Sequence, residues 1–208
     1  MDSSNGLNKK NVRELVREQS QRKGVSGFTL LELMVVVAIL GIAAAIAVPS
    51  FKSTVSRNQL ISHAQEVAGI IAYARSEASK ASNGSVTLCT SNDINAETPS
   101  CSGENENTWD AGWIVFSGDG LLRVGQASTG NLTIRSSGFA RDGQIVFDNT
   151  GAPEASGTFT LCNDLGESQA KAIVVSVAGQ SRLAVDEDTP ADQIVNDQVG
   201  GNVQCPSV

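Results

Sequence analysis

The stretch Gly27-Phe28-Thr29-Leu30-Leu31-Glu32, followed by the apolar run from Leu33 to Val48, decides the fold of this 208-residue chain. No charged residue occurs from Leu33 to Phe51. At about 1.5 Å of rise per residue, a helix from Phe28 to the end of the run is roughly 30 Å long, about the thickness of a bilayer core. A carboxylate such as that of Glu32 is costly at the mouth of such a helix unless another group pairs with it. The stretch therefore predicts a membrane-spanning helix that carries one functional acid.

The charges divide unevenly along the chain. Residues 1–27 carry six Lys and Arg against three Asp and Glu, a net charge of +3, whereas the remainder carries nine against nineteen, a net charge of −10. Basic residues beside an apolar helix favour the cytoplasmic side of a membrane, so the chain beyond the helix is expected on the other side. A part this acidic does not attract phosphate backbones through its overall field.

The helical pattern continues beyond the apolar run, so we expect one helix over residues 28–82, stopped by Asn83-Gly84. An apolar stripe at three- and four-residue steps predicts that its second half packs on a soluble core. The stripe consists of Ile61, Ala64, Val67, Ile71, Ala74 and Ala78.

Short runs typical of strands follow, separated by Gly, Asn, Asp and Ser. They are residues 86–89, 113–116, 121–124, 132–135, 144–148, 158–162, 172–177 and 182–185. The tail from Asp186 to Val208 is acidic, and we expect it to be irregular until Cys205. The predicted fold class is therefore α+β, with a long N-terminal helix packed on an antiparallel sheet of seven or so strands.

Gly27 directly before Phe28, Glu32 four residues further on, and the long apolar helix resemble the class III prepilin signal of type IV pilins and type II secretion pseudopilins. The resemblance implies that a membrane-embedded prepilin peptidase cuts after Gly27 and methylates the new amino terminus at Phe28. It also implies that the Glu32 carboxylate pairs with the amino terminus of a neighbouring subunit and sets the axial register of the helical bundle.

Two other interpretations of this stretch remain open. An ordinary secretory signal peptide would be cut at an A-x-A-like site, Ala45-Ile46-Ala47, but Glu32 would then lie unexplained within its apolar region. A plain membrane anchor without processing leaves both Gly27 and Glu32 unexplained.

Several segments beyond the apolar run resemble the GspH/FimT-like domain of H-type minor pseudopilins and of FimT and FimU minor pilins. They are residues 73–78, 86–89, 109, 112–116 and 157–162. The resemblance implies a leader over residues 1–27, a transmembrane and filament-core helix over 28–51, and a periplasmic pilin-like domain over 52–208. The cysteine positions resemble the pilus branch more than the secretion branch. We therefore expect a minor pilin of a type IV pilus at or near the filament tip, with a type II secretion minor pseudopilin as the first alternative and a DNA-uptake minor pilin with a degenerate DNA-binding motif as the second.

The chain has four cysteines, Cys89, Cys101, Cys162 and Cys205, which allow three disulfide pairings. An extracytoplasmic location permits disulfides, and we favour Cys89–Cys101, which closes a short loop, and Cys162–Cys205, which fastens the tail. Free thiols and a zinc site are the alternatives. Zinc is disfavoured because no C-x-x-C pair occurs and His63, the single histidine, is distant in sequence.

The FimT branch is associated with DNA uptake through a C-terminal Gly-Arg-x-Arg motif, and the matching place here reads Gly179-Gln180-Ser181-Arg182. Gln180 replaces the first arginine. One guanidinium is a weak phosphate anchor, so Arg182 is a DNA-binding candidate that we expect to be a surface arginine in a hairpin. The expected partners are other pilin or pseudopilin subunits, prepilin peptidase and inner-membrane lipid, with secreted proteins or DNA less well supported.

The remaining polar residues do not form the pattern of a catalytic site. Asp110, Asp119, Asp142 and Asp148 are scattered through turns and form no calcium ligand set in sequence. Trp109 and Trp113 are interpreted as core or loop anchors. No nucleophile, base and orienting acid are evident, so we expect a structural subunit of the cell inner membrane and of a filament, with no enzyme activity, cofactor or metal.

Overall fold

The computed structural model describes residues 27–81 and 84–206. Residues 1–26 of the expected leader, and Asn83 of the expected helix stop, lie outside the described residues. The chain divides between Val48 and Pro49 into two compact units. Helix α1, Leu30–Lys80, begins in the first unit and ends in the second.

The described part of the first unit, residues 27–48, is mostly the apolar beginning of α1. Every residue from Gly27 to Val48 is exposed, including large side chains such as Leu40 and Ile46. By length and composition, α1 is suited to crossing a membrane. An apolar segment without protein around it requires lipid or other apolar helices, as the sequence predicts.

The described residues of the second unit form eight strands, and each corresponds to one of the short runs identified in the sequence. They are β1 (Val86–Thr90), β2 (Trp113–Ser117), β3 (Gly120–Gly125), β4 (Thr133–Ser137), β5 (Gln144–Phe147), β6 (Gly157–Cys162), β7 (Lys171–Val175) and β8 (Ser181–Leu183). A short 3₁₀ helix, Glu167–Gln169, precedes β7.

The strands form two four-stranded sheets, where the sequence analysis expected one sheet. Their orders are β3-β2-β1-β5 and β4-β6-β7-β8, and all pairs are antiparallel. The single-sheet expectation was wrong because period-two patterns identify strands but do not specify their partners. The predicted class, a long helix packed on antiparallel β-structure, is confirmed.

The second half of α1 supplies one side of the core. Its buried stripe contains Leu60, Ala64, Val67, Ile71, Ala74 and Ala78. Ile61, expected in the stripe, is 41% exposed, and Leu60 is buried in its place. Both sheets contribute to the same core, with Leu88, Val115 and Phe147 from the first and Phe159, Leu161 and Ile173 from the second.

The loop between β1 and β2 joins the two sheets. Trp109 is buried and donates its indole N–H to the carbonyl oxygen of Asp142 at 2.9 Å. The side chain of Asn107 pairs with the backbone of Ser136 in β4, donating to its carbonyl and accepting from its N–H at 2.7 Å each. These bonds satisfy polar groups that a loop over a core would otherwise leave buried without partners.

The tail after β8 is irregular, as the sequence analysis expected, and it covers the outer side of the second sheet. Val203 is buried against Ala172, Val174 and Ala184. Asn196 is 2% exposed, and its side-chain amide donates to the Gly200 carbonyl at 3.1 Å. The tail has few regular backbone bonds, but buried side chains fix its course.

Candidate processing and assembly site

The Gly27–Phe28 peptide bond lies just before the first turn of α1. Both residues precede the helix, and the Phe28 side chain is 88% exposed. Among the described residues, none other than the chain neighbours of Gly27 comes within 4 Å of the position that a Cβ on Gly27 would occupy. A bond in non-helical, uncrowded backbone is accessible to a peptidase, because helical backbone is tied into its own hydrogen bonds.

Thr29 and Glu32 form reciprocal hydrogen bonds at the start of α1. The Thr29 hydroxyl accepts from the Glu32 N–H at 3.1 Å, and the Glu32 Oε2 atom accepts from both the N–H and the hydroxyl of Thr29 at 3.1 Å. The Thr29 carbonyl accepts the first helical bond, from Leu33 N–H at 3.1 Å. This arrangement is a capping box with Thr29 as the N-cap.

The sequence analysis identified Glu32 but missed Thr29. The signal was present, because Thr-x-x-Glu before an apolar run is the sequence pattern of a capping box. The pattern also explains how an acid is tolerated here: two donors from its own chain and the positive end of the helix stabilise the carboxylate.

The hairpin that contains Arg182 lies at the edge of the second sheet. The Arg182 Nη2 atom is 3.6 Å from the Glu187 Oε1 atom, and both side chains are about half exposed. An exposed ion pair of this kind is weak, but Glu187 partly neutralises the cation. Lys171 and Arg182 border one groove of about 320 Å³ between α1 and strands β7 and β8.

Arg75 is a second cation near this hairpin that the sequence analysis missed. Its Cδ atom lies 3.2 Å from the position of a Cβ on Gly179, and its Nε atom is buried without a hydrogen-bond partner among the described residues. Arg75 is 104 positions away in sequence, on α1, so neither motif nor spacing could reveal this contact.

The structure contains two disulfides, Cys89–Cys101 and Cys162–Cys205, with Cα atoms 5.6 and 5.8 Å apart. These are the pairs that the sequence analysis favours. The first joins β1 to the loop that follows it, and the second joins β6 to the tail. His63, the other residue weighed for zinc, lies on α1 with its Nδ1 atom 3.1 Å from Glu66 Oε2.

The aspartates considered for calcium and the two tryptophans contact other residues of the domain. Asp110 pairs with Arg135, and no three of the four aspartates considered for calcium converge among the described residues. Trp109 packs edge-on against Phe159 with ring centroids 4.9 Å apart, and Trp113 is also buried. The interpretation of both tryptophans as anchors is confirmed.

Three carboxylates of the tail, those of Asp186, Asp188 and Asp192, do converge. They accept hydrogen bonds from their own loop, including Gln193 N–H to Asp186 at 2.6 Å and Ile194 N–H to Asp192 at 2.9 Å.

Two family models match the chain. Residues 22–48 match the prokaryotic N-terminal methylation motif. The match includes both the Gly27–Phe28 bond and the apolar start of α1. These features define a protein of the type IV pilin and pseudopilin class. Residues 63–179, more than half of the chain, match the type II transport protein GspH. The chain belongs to the GspH family, and the resemblance seen in the sequence is confirmed; this family is structural rather than enzymatic.

Individual relatives match over short stretches. A fimbrial protein of Pseudomonas aeruginosa is 46% identical over 54 residues, which are 26% of this chain and 35% of that protein. The type IV major fimbrial protein FimA of Dichelobacter nodosus is 59% identical over 34 residues, 16% of this chain and 22% of that protein. The chain thus spans about a third or less of these relatives.

A solved structure of the type IV minor pilin FimU of Pseudomonas aeruginosa is similar over 62% of this chain and 91% of its own, with 21% identity and a TM-score of 0.44.

Proposed function

We propose that this chain is a minor pilin of a type IV pilus, cleaved after Gly27 by prepilin peptidase, methylated at Phe28 and incorporated at or near the filament tip. Before assembly, residues 28–51 span the inner membrane once, in contact with its lipid. Residues 1–27 are then cytoplasmic, and the domain over residues 52–208 is periplasmic. The partners are other pilin subunits and the peptidase.

The observation that carries the proposal is the position of Glu32. It is the one acid in an exposed apolar segment, and it lies four residues beyond the exposed Phe28. Cleavage after Gly27 creates an ammonium group at Phe28. An ammonium and a carboxylate in a low-dielectric helical bundle attract strongly and tolerate few alternative alignments, which supports a role in subunit register.

A minor pseudopilin of a type II secretion system is the second candidate. The description of the matched family, a type II transport protein, favours it. The same cleavage, anchoring and helix packing serve both machines, but the tip of a secretion filament meets secreted proteins. Deletion of the gene in its native host separates the two: loss of surface pili supports the proposal, and loss of protein secretion with normal pili contradicts it.

Processing is tested by co-expression with a prepilin peptidase. The chain should lose 27 residues and gain a methyl group at Phe28, and Gly27→Val should block this because a branched side chain crowds the scissile bond. Gly41→Val is the matched control, because Gly41 lies within α1 and a Cβ added there meets no atom within 4 Å in the part of the chain that the structure describes. A new amino terminus after Ala47 would establish a secretory signal peptide instead.

Assembly is tested by Glu32→Val in the host that makes the filament. The variant should be cleaved and inserted normally, because the helix becomes more apolar, but it should be depleted from sheared filaments. Met34→Val, an exposed apolar exchange in the same turn region, is the control. Normal incorporation of Glu32→Val would remove the role proposed for this acid.

A further inference from the structure

The two edges of the second sheet differ in how their backbone groups are satisfied. At the β4 edge, the Ile134 N–H donates to the Asp110 carboxylate at 3.1 Å. The Ile134 carbonyl accepts from the Arg135 guanidinium at 2.7 Å. Asn107 bonds both the N–H and the carbonyl of Ser136. Side chains therefore close this edge, which protects a strand from pairing with another chain.

The outer edge of β8, here called the β8 edge, is open. The Ala184 N–H donates to the Ala172 carbonyl of β7 at 2.8 Å. Because bonded and non-bonded pairs alternate along an antiparallel ladder, the N–H and carbonyl groups of Ser181 and Leu183 point away from β7. None of these groups has a hydrogen-bond partner among the residues that the structure describes. A further strand could therefore pair with β8.

The apolar groove of about 320 Å³ between α1, β7 and β8 runs beside this open edge. Ile61 and Leu183 line the groove and are 41% and 54% exposed. Leu183 lies opposite the buried Ile173 in the ladder, so both side chains are on the sheet face that packs against α1. A strand added at the β8 edge would cover Leu183 and would place alternate side chains in the groove.

The border of the groove is positively charged, although residues 28–208 carry a net charge of −10. Lys171 forms no ion pair with any described residue. The other cation, Arg182, is only partly neutralised by Glu187, because their closest atoms are 3.6 Å apart and both side chains are about half exposed. A segment that carries carboxylates is attracted to this border, and a basic segment is repelled.

We propose that the β8 edge docks an extended, acidic segment of a partner protein, which adds a strand to the second sheet. The backbone of this segment pairs with Ser181 and Leu183, and its apolar side chains enter the groove beside Ile61. Its carboxylates lie near Lys171 and Arg182. The edge and the groove belong to the folded domain alone, so this inference does not depend on the proposed function.

The experiment uses the full chain in phosphatidylcholine nanodiscs and a short fluorescein-labelled peptide in which valine and glutamate alternate. Fluorescence anisotropy measures binding, and empty nanodiscs give the background. We expect saturable binding at micromolar to millimolar peptide. The same peptide with N-methylated backbone amides keeps its side chains but cannot pair as a strand, and it should bind about tenfold more weakly. A peptide with lysine in place of glutamate should bind about threefold more weakly or less tightly still.

A variant of the edge locates the site on the protein. Leu183→Asp places a charge in the apolar groove and repels the glutamates of the peptide, so its affinity should fall about tenfold. Val199→Asp is the matched control, because Val199 is 81% exposed in a different turn and the variant has the same net charge. It should bind the peptide as the wild type does. Near-ultraviolet circular dichroism checks that both variants are folded.

Five results would overturn the proposal. Absence of saturable binding, or equal binding of the N-methylated peptide, would exclude strand addition. Equal binding of the lysine peptide would exclude an acidic partner. Equal affinities of Leu183→Asp and Val199→Asp would place the site elsewhere or attribute the loss to net charge. Association of two nanodisc-held copies that Leu183→Asp abolishes would identify a second copy of this chain as the occupant.

Discussion

The backbone of Gly179 lies directly against that of Gly151, so that a Cβ on Gly179 would stand 2.0 Å from the Gly151 carbonyl oxygen. Both glycines have positive φ, 73° and 79°. Gly151 lies in the turn between β5 and β6, Gly179 lies in the hairpin between β7 and β8, and both lie against the side chain of Arg75 on α1. This three-way contact ties the end of the long helix to the two sheets.

Gly179→Ala should therefore destabilise the domain by about 3 kcal/mol, through left-handed backbone strain of about 1 kcal/mol and an overlap that requires the turn to move. Gly166→Ala is the matched control, because Gly166 has a φ of 79° but its added Cβ meets no described residue within 4 Å. Gly166→Ala should lower the free energy of unfolding by about 1 kcal/mol. Urea unfolding of residues 52–208 measures both, and equal losses would contradict the role of the contact with Gly151.

The two disulfides should contribute unequally to stability. Cys162–Cys205 closes a loop of sequence separation 43, and Cys89–Cys101 one of separation 12. Loop-closure entropy predicts about 4 kcal/mol for the first and about 3 kcal/mol for the second. Replacing each pair by serines and comparing the urea midpoints of the two variants tests this order. Loss of Cys162–Cys205 should also release the tail around Val203. Recovery of four free thiols from the exported protein would contradict both bonds.

Asp148 should give the domain a defined acid dependence. Its carboxylate accepts hydrogen bonds from the hydroxyl of Thr150 at 2.6 Å and from the N–H groups of Thr150 and Ala152, and these bonds, the hydroxyl first, lower its pKa. A carboxyl group with a pKa lowered by folding stabilises the protein above its unfolded pKa, and this contribution is lost as the pH falls through the folded pKa.

Asp148→Asn should thus be less stable than the wild type at pH 7, and the difference should shrink as the pH falls below the ordinary aspartate value of 3.8. Urea unfolding at pH 7 and pH 3 measures this. Asp119→Asn is the control, because the Asp119 carboxylate accepts no hydrogen bond from the part of the chain that the structure describes, and it should change little. If Asp148→Asn were less stable than the wild type by the same amount at both pH values, the prediction would be contradicted.

The local elements could be predicted from the sequence because each has a local cause. The helical spacing of Val67, Ile71 and Ala74 predicts the buried face of α1. Short strand-like runs separated by turn residues predict the eight described strands. The division into two sheets could not be predicted, because it depends on pairings between distant strands such as β1 with β5. The same holds for Asn196 and Trp109, whose hydrogen bonds reach across loops that have no periodic pattern.

At the candidate site, the sequence revealed the residues that follow a motif and missed those defined by contact. Gly27, Phe28 and Glu32 have fixed spacing, and their roles in processing and assembly stay predictions. Thr29 was overlooked because a threonine before a helix is common and its role depends on the hydroxyl geometry. Arg75 could not be found, since only the fold brings α1 beneath the hairpin of Gly179.

The hairpin around Gly179 offers few free cations to a nucleic acid. Glu187 partly neutralises Arg182, and Asp148 lies in the turn that packs against the hairpin. Lys171 borders the same groove as Arg182, and Arg75 lies against Gly179 with its Nε atom buried. Affinity for a phosphate backbone grows with the number of counterions released, so one or two contacts at physiological salt give little binding.

We therefore expect residues 52–208 to bind duplex DNA weakly and in a salt-sensitive way, and Gln180→Arg to raise the affinity by adding a second cation beside Arg182. Val199→Arg is the control, because Val199 is 81% exposed in a different turn and the variant has the same net charge. A gel shift or NMR titration at physiological salt measures all three proteins. Equal gains in both variants would attribute the effect to net charge, and tight binding by the unaltered domain that Arg182→Ala abolishes would contradict the prediction.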